Sequence, residues 1–278
     1  MKTAVLLIHL IILCLISSCQ DRSTNTLWVK PPSITLDCAD YAAIQSPVGV
    51  LYNNVWNKHA AKDGEWQQCI EKRLVAEVTQ YGWSWQWPQK SNVIFAYPQV
   101  KLGVSPWAPE PTSDNRFPLK ISSINNLTIS YDLEVSTDGQ HNLATSMWLT
   151  NSATVTEKPN PSAIVAEFMI WTYSTAKHFN PAGKKITEVT IDGKQWEVWV
   201  DKNWGDASGA NANKWIYITY RAKESALKTQ FSAFNLIQHA VADNIITAEL
   251  YIADIELGNE IMSGSGIAWV KSFEVKVD

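Results

Sequence analysis

Two carboxylates stand where a carboxylate can react. Glu167 lies in Ala166-Glu167-Phe168-Met169-Ile170-Trp171-Thr172-Tyr173. In an extended strand successive side chains point to opposite faces, so Ala166, Phe168 and Ile170 share one side. Glu167, Met169, Trp171 and Tyr173 take the other. The first set suits a core; the second joins a carboxylate to a thioether and aromatic rings, a good lining for a sugar-binding groove. Glu260 follows Leu257-Gly258-Asn259 and precedes a Gly-rich turn ending at Gly266, a place from which it projects at the end of a cleft. Each also has an ordinary reading, a strand Glu paired with an Arg and a loop Glu in water. Glycoside hydrolysis needs two such groups, one to attack the anomeric carbon and one to protonate the departing oxygen. Partial burial and nearby negative charge keep the acid protonated near neutral pH. The two lie 93 positions apart, so only the fold can bring them together.

The surrounding chain has 278 residues, room for one large all-β domain. Formal net charge is -4 with Lys and Arg scattered, which argues against nucleic acid as a partner, since that calls for a basic stripe. The 14 Trp exceed what core packing usually requires, and exposed indoles suit stacking on sugar faces.

The first nineteen residues read as a targeting segment: Lys2, then an apolar run from Ala4 to Ile16 that is shorter than the ~20 residues of a membrane span. Ile16-Ser17-Ser18-Cys19 looks like a bacterial lipoprotein signal, with Cys19 lipidated as the new N-terminus; ordinary secretion is the alternative. Either way the mature protein is expected outside the cytoplasm, with residues 20–33 as a tether and 34–278 as one domain. Cys38 and Cys69 then remain as an even pair in an oxidising compartment, and a disulfide is predicted between them. No Cys or His spacing suits a metal, and no cofactor is expected.

The elements that must position Glu167 and Glu260 are mostly strands. Gly49 to Trp56, Asn92 to Tyr97, Leu127 to Val135, Ala144 to Leu149, Trp215 to Tyr220, Ala248 to Leu257 and Val270 to Val277 carry strand patterns. Asp192-Gly193 between two β-rich runs signals a hairpin. Alternation places Trp83, Trp85 and Trp87 on one face, too many large rings for a thin core layer. Helical spacing of Leu227, Phe231, Phe234 and Gln238 predicts one helix within Lys223–Ala240. The Pro-rich run Ser105 to Pro118 reads as a loop over the rim of a cleft. About a dozen strands and one helix imply a two-sheet antiparallel sandwich.

At this point the residues resemble a known family. Glu167-Phe168-Met169-Ile170-Trp171 is similar to the nucleophile strand of glycoside hydrolase family 12. Gly258-Asn259-Glu260, with Phe273-Glu274-Val275 after it, resembles that family's acid/base segment and final strand. Asn54-Val55-Trp56 resembles its Asn-x-Trp element on the glycone side, bracketed by Cys38 and Cys69 as in many members. The resemblance covers nearly all of Ile34 to Val277. It implies a β-jelly roll with a concave cleft for β-1,4-glucans and retaining hydrolysis without a cofactor. Glu167 would be the nucleophile and Glu260 the acid/base, their carboxyls roughly 5–5.5 Å apart. Asn54, Trp56 and Met169 would contact the sugar, with Trp85, Trp87, Trp148 and Trp171 as further cleft candidates. The protein is expected to act as a monomer, meeting membrane only through lipid at Cys19. A polysaccharide-binding surface lipoprotein without catalysis would keep the Trp-lined groove but need neither Glu. An adhesive surface protein would place every Trp in the core.

Overall fold

The computed structural model of the chain describes residues 28–62, 65–108, 114–153, 159–206, 208–209 and 211–278. Among these, seventeen strands and one α-helix form two facing layers, the β-jelly roll expected from the sequence. The first layer runs, neighbour by neighbour, through Ile34–Asp37, Gln67–Val75, Val78–Trp87, Ile261–Val277, Leu127–Thr137 and Lys228–Ser232. The second runs through Ala43–Ser46, Gly49–Tyr52, Gln99–Gly103, Asp254–Gly258, Gln140–Thr150, Ile164–Ser174, Lys214–Ala222, Lys194–Gly205 and Lys184–Ile191. Every pairing along these two rows is antiparallel except that of Ile164–Ser174 with Lys214–Ala222, which run parallel.

The core lies between the layers. Ile70, Trp83 and Leu133 enter it from the first sheet, Phe168, Ile218 and Leu257 from the second. Each of those strands therefore has one face committed to the core, and the second sheet is left with a free face on the far side. The Asp192-Gly193 hairpin forms as the dipeptide requires, both residues at positive φ, 51° and 76°.

Two local expectations give way to tertiary pairing. Asn92 to Tyr97 forms no strand, only an isolated bridge from Ala96 to Ile261. The helix spans Ala233–Ala242 and starts later than its apolar spacing implied. Leu227 precedes, and Phe231 lies in, the strand Lys228–Ser232, which pairs with Leu127–Thr137. Ser232 then caps the helix, its hydroxyl accepting from Asn235 N at 3.1 Å. Buried Leu236, Ile237 and Ala240 dock the helix on the core.

Cys38 and Cys69 are joined as predicted, closing a loop around the Gly49–Tyr52 strand and the Asn54–Trp56 segment. Residues 28–33, expected as part of the tether, are fastened to the first sheet: Trp28 Nε1 donates to Ser136 Oγ at 3.2 Å and Lys30 meets Glu71 at 2.5 Å. Cys19, the targeting segment and residues 20–27 lie outside the described residues.

Candidate active site

The Glu167 strand divides its side chains as its alternation demands. Ala166, Phe168 and Ile170 belong to the main core. Met169 and Trp171, on the opposite face, form a separate small cluster with Tyr97, Ala144 and Tyr217, against which Trp56 and Trp204 pack. That cluster is a second apolar floor on the free face of the second sheet, and Glu167 stands at its edge.

Strand register surrounds Glu167 with rings. Trp148 lies opposite it on one neighbouring strand and Tyr217 on the other. Trp215 Nε1 donates to Glu167 Oε2 at 3.0 Å. Trp107, from the loop after Gln99–Gly103, meets Trp148 and Trp215 edge-on at 5.6 and 5.7 Å between centroids. The remainder of that loop, residues 109–113, and residues 154–158 of the polar run before Glu167 lie outside the described residues.

Glu260 reaches the same face from the turn between Asp254–Gly258 and Ile261–Val277. Gly258 is required there, because a Cβ would stand 2.4 Å from Pro98 O. Asn142 then holds Glu260 at two points: its Oδ1 accepts from Glu260 N at 2.8 Å, and its Nδ2 donates to Glu260 Oε2. Asn259 backs this arrangement, its Nδ2 donating to Asn142 O at 2.7 Å while its Oδ1 accepts from Trp83 Nε1 at 2.9 Å.

The electrostatics tie the two carboxyls into one site. Burial pushes Glu167 up to about 8, with the charges of Glu260 and Glu256 adding to the rise and the Trp215 N–H opposing it. Burial likewise pushes Glu260 up to about 7, opposed by the Asn142 amide. Both Tyr97 and Tyr217 are raised well above the ordinary phenol value, by burial first and then by carboxylates: Glu256, Glu260 and Glu167 for Tyr97, Glu260 and Glu167 for Tyr217. Tyr97 is anchored in the floor by donating to Ala144 O at 3.0 Å. The charge of Glu260 thus reaches Glu167, and a site with one carboxylate and one carboxylic acid is the form that combines a nucleophile with an acid.

Of the other candidate residues, Met169 and Trp171 form the floor, Trp56 packs against it and Trp148 flanks Glu167. Trp171 is only 2% exposed and meets His178 edge-on at 5.3 Å, so it supports the floor from within. Asn54 is half-buried beside it, its carbonyl accepting from Tyr97 N at 2.9 Å.

Trp85 and Trp87 are corrections. Both are buried in the main core and take no part in the cleft. Trp87 is stacked between Trp66 and Phe95, with centroids at 4.6 and 5.0 Å, and its Nε1 donates to Gln68 Oε1 at 3.1 Å. Trp85 fills space left by Gly266, where a Cβ would come within 2.2 Å of the indole. The glycine makes the core layer deep enough for rings that looked too large for it.

Sequence reasoning missed Trp215, Asn142, Tyr97 and Trp107. Trp215, Tyr217 and Thr219 alternate in a recognisable strand, but nothing local says which face meets Glu167. Asn142 had no signal at all, since its partner is 118 positions away.

Known proteins resemble this chain in sequence and in fold. Residues 48–278 match the model of glycosyl hydrolase family 12. Over 230 residues the chain is 29% identical to Endoglucanase S of Pectobacterium parmentieri, covering 82% of this chain and 81% of that protein. It is 24% identical to a probable xyloglucan-specific endo-beta-1,4-glucanase A of Aspergillus clavatus, covering 82% and 85% respectively. In three dimensions it superposes on a family 12 xyloglucanase from Bacillus licheniformis with a TM-score of 0.75, 22% identity and coverage of 87% of this chain and 99% of that one.

Proposed function

The chain belongs to glycosyl hydrolase family 12, and from that premise we propose that it cuts β-1,4-glucans internally with retention of configuration, through Glu167 and Glu260. The observation that carries this reading is the convergence of both carboxyls on one aromatic face, each raised by burial and each given one fixed hydrogen-bond donor.

Trp215 occupies Glu167 Oε2, which leaves Oε1 as the attacking atom. Attack on the anomeric carbon forms a glycosyl–enzyme ester while Glu260 delivers its proton to the departing glycosidic oxygen. Water then attacks the same carbon, its proton passes to Glu260, and Glu167 leaves as carboxylate. Two inversions give net retention. Met169 and Trp56 would pack on the sugar face, Asn54 would hydrogen-bond it, and Trp148 and Trp171 would shape wall and floor. The carboxyls are expected roughly 5–5.5 Å apart when sugar is bound. The names of the relatives support cellulose-type glucan or xyloglucan as the substrate class.

A cleft that only bound polysaccharide would need neither carboxyl, so the binding-only reading is not favoured. The disulfide fits an oxidising compartment, and we place the mature protein outside the cytoplasm, on lipid at Cys19 or secreted, as a monomer whose hydrolase domain is 34–278 with residues 28–33 fastened to it. Loss of fatty-acid labelling in Cys19→Ser would test the anchor.

Purified protein should hydrolyse carboxymethylcellulose, mixed-linkage glucan or xyloglucan, and NMR of nascent products should show the β anomer first. Glu167→Gln should abolish turnover and keep binding; undiminished activity in that variant refutes the nucleophile assignment.

A further inference from the structure

We propose that Asn142 is the positioning residue for the acid/base carboxyl, and that it assists the second half of the reaction more than the first. The proposal rests on Glu260 being the acid/base. Asn142 is fully buried, and both polar atoms of its side-chain amide are engaged with Glu260. Its Oδ1 accepts from Glu260 N at 2.8 Å, its Nδ2 donates to Glu260 Oε2, and its backbone N donates to Glu260 O at 3.3 Å. Its backbone oxygen accepts from Asn259 Nδ2 at 2.7 Å, and Asn259 is itself held by the core indole Trp83. A continuous chain of hydrogen bonds thus runs from the core indole through Asn259 and Asn142 to the reacting carboxyl.

The chemistry of that contact is asymmetric. An amide N–H aimed at Oε2 stabilises the carboxylate over the carboxylic acid. With Oε2 so occupied, Oε1 is the oxygen that carries the transferable proton. In the first step the Oε1–H bond breaks, the glycosidic oxygen takes the proton and the C1–O electron pair, and Glu167 bonds to C1. In the second step a water O–H proton goes to Oε1, the water oxygen bonds to C1, and the ester to Glu167 breaks. The donor at Oε2 opposes the first transfer and favours the second, which must start from carboxylate.

The experiment uses full-length protein and an aryl β-cellobioside with a good leaving group, whose first step needs little acid help. Asn142→Ala should slow the second step by about 10- to 100-fold, revealing a pre-steady-state burst and lowering kcat more than kcat/KM. Its alkaline limb should move to higher pH, because the acid form is favoured. Asn142→Ser, which keeps a short donor and a smaller volume change, should restore part of the second-step rate and stands in should the Ala variant not fold. Equal losses in kcat and kcat/KM, no burst and an unmoved pH limb in the folded variants would overturn the proposal. Glu260→Ala with azide separates it from its premise. Rescue with formation of the β-glycosyl azide establishes Glu260 as acid/base, and failure of rescue removes that assignment whatever Asn142 does.

Discussion

Trp215 Nε1 donates to Glu167 Oε2 at 3.0 Å, an indole on one strand fixing a carboxylate on its parallel neighbour. The bond does two jobs: it leaves Oε1 for the sugar, and it offsets part of the burial that raises Glu167. Trp215→Phe keeps the ring packed against Trp107 and Trp148 but removes the N–H. We expect kcat/KM on a soluble β-glucan to fall by about tenfold. The acid limb of the pH profile should move upward, since Glu167 then ionises later. A profile that keeps its acid limb would show that the donor does not act on the ionisation.

The same raised carboxyls set a pH dependence of stability. Glu167 and Glu260 rise from an ordinary 4.5 to about 8 and about 7. Between those values the folded protein binds more protons than the unfolded chain, so stability falls as pH climbs through that window. Below it both states are protonated and nothing is lost. Glu167→Gln and Glu260→Gln should therefore melt higher than wild type at pH 8, each by on the order of 2 kcal/mol, and no higher at pH 4. Thermal scans at the two pH values decide it.

Trp85→Ala and Trp87→Ala should each cost about 3–5 kcal/mol of stability as large-to-small core changes, whereas Trp56→Ala should leave melting nearly unmoved and raise KM. The contrast measures how much the sequence could say. Alternation is local, so the division of the Glu167 strand into Phe168/Ile170 and Met169/Trp171 was readable, and the cleft face followed. Which face of Val78–Trp87 meets the core is not local; it depends on Gly266 making room for Trp85 from another strand. The partners of the two carboxyls were hidden for the same reason, because Trp215 and Asn142 reach them through strand pairing. Helix onset was misplaced where Lys228–Ser232 found a strand partner. Motif order across the chain held the fold together on paper better than any single residue did.

The disulfide closes a stretch with a sequence separation of 31. Loop-closure entropy for that span is worth about 3–4 kcal/mol. Reduced protein should lose roughly that in urea unfolding, matched by Cys38→Ser/Cys69→Ser. Because the closed loop carries Asn54 and Trp56, KM should rise in the reduced protein before global unfolding is detectable. An unchanged KM up to the unfolding transition would separate the disulfide from the cleft.

The segment ahead of the domain tests where the folded unit begins. Glu71 is buried to 0% exposure on the first sheet, where Ser84 Oγ donates to it at 2.7 Å and Thr35 Oγ1 at 3.1 Å. The cation facing it is Lys30, at 2.5 Å, from residues that sequence patterns assign to a tether. Taking away one member of such a pair leaves a buried charge without its counterion, which costs more than the pair itself contributes. Lys30→Met, or a chain starting at Ile34, should therefore unfold about 1–3 kcal/mol more easily than wild type, the part-exposed lysine limiting the loss. Glu71→Gln in the Lys30→Met background should recover most of it, since the uncompensated charge is then gone. If the chain starting at Ile34 is as stable as the longer one, residues 28–33 are tether after all and Glu71 is satisfied by its hydroxyl donors alone.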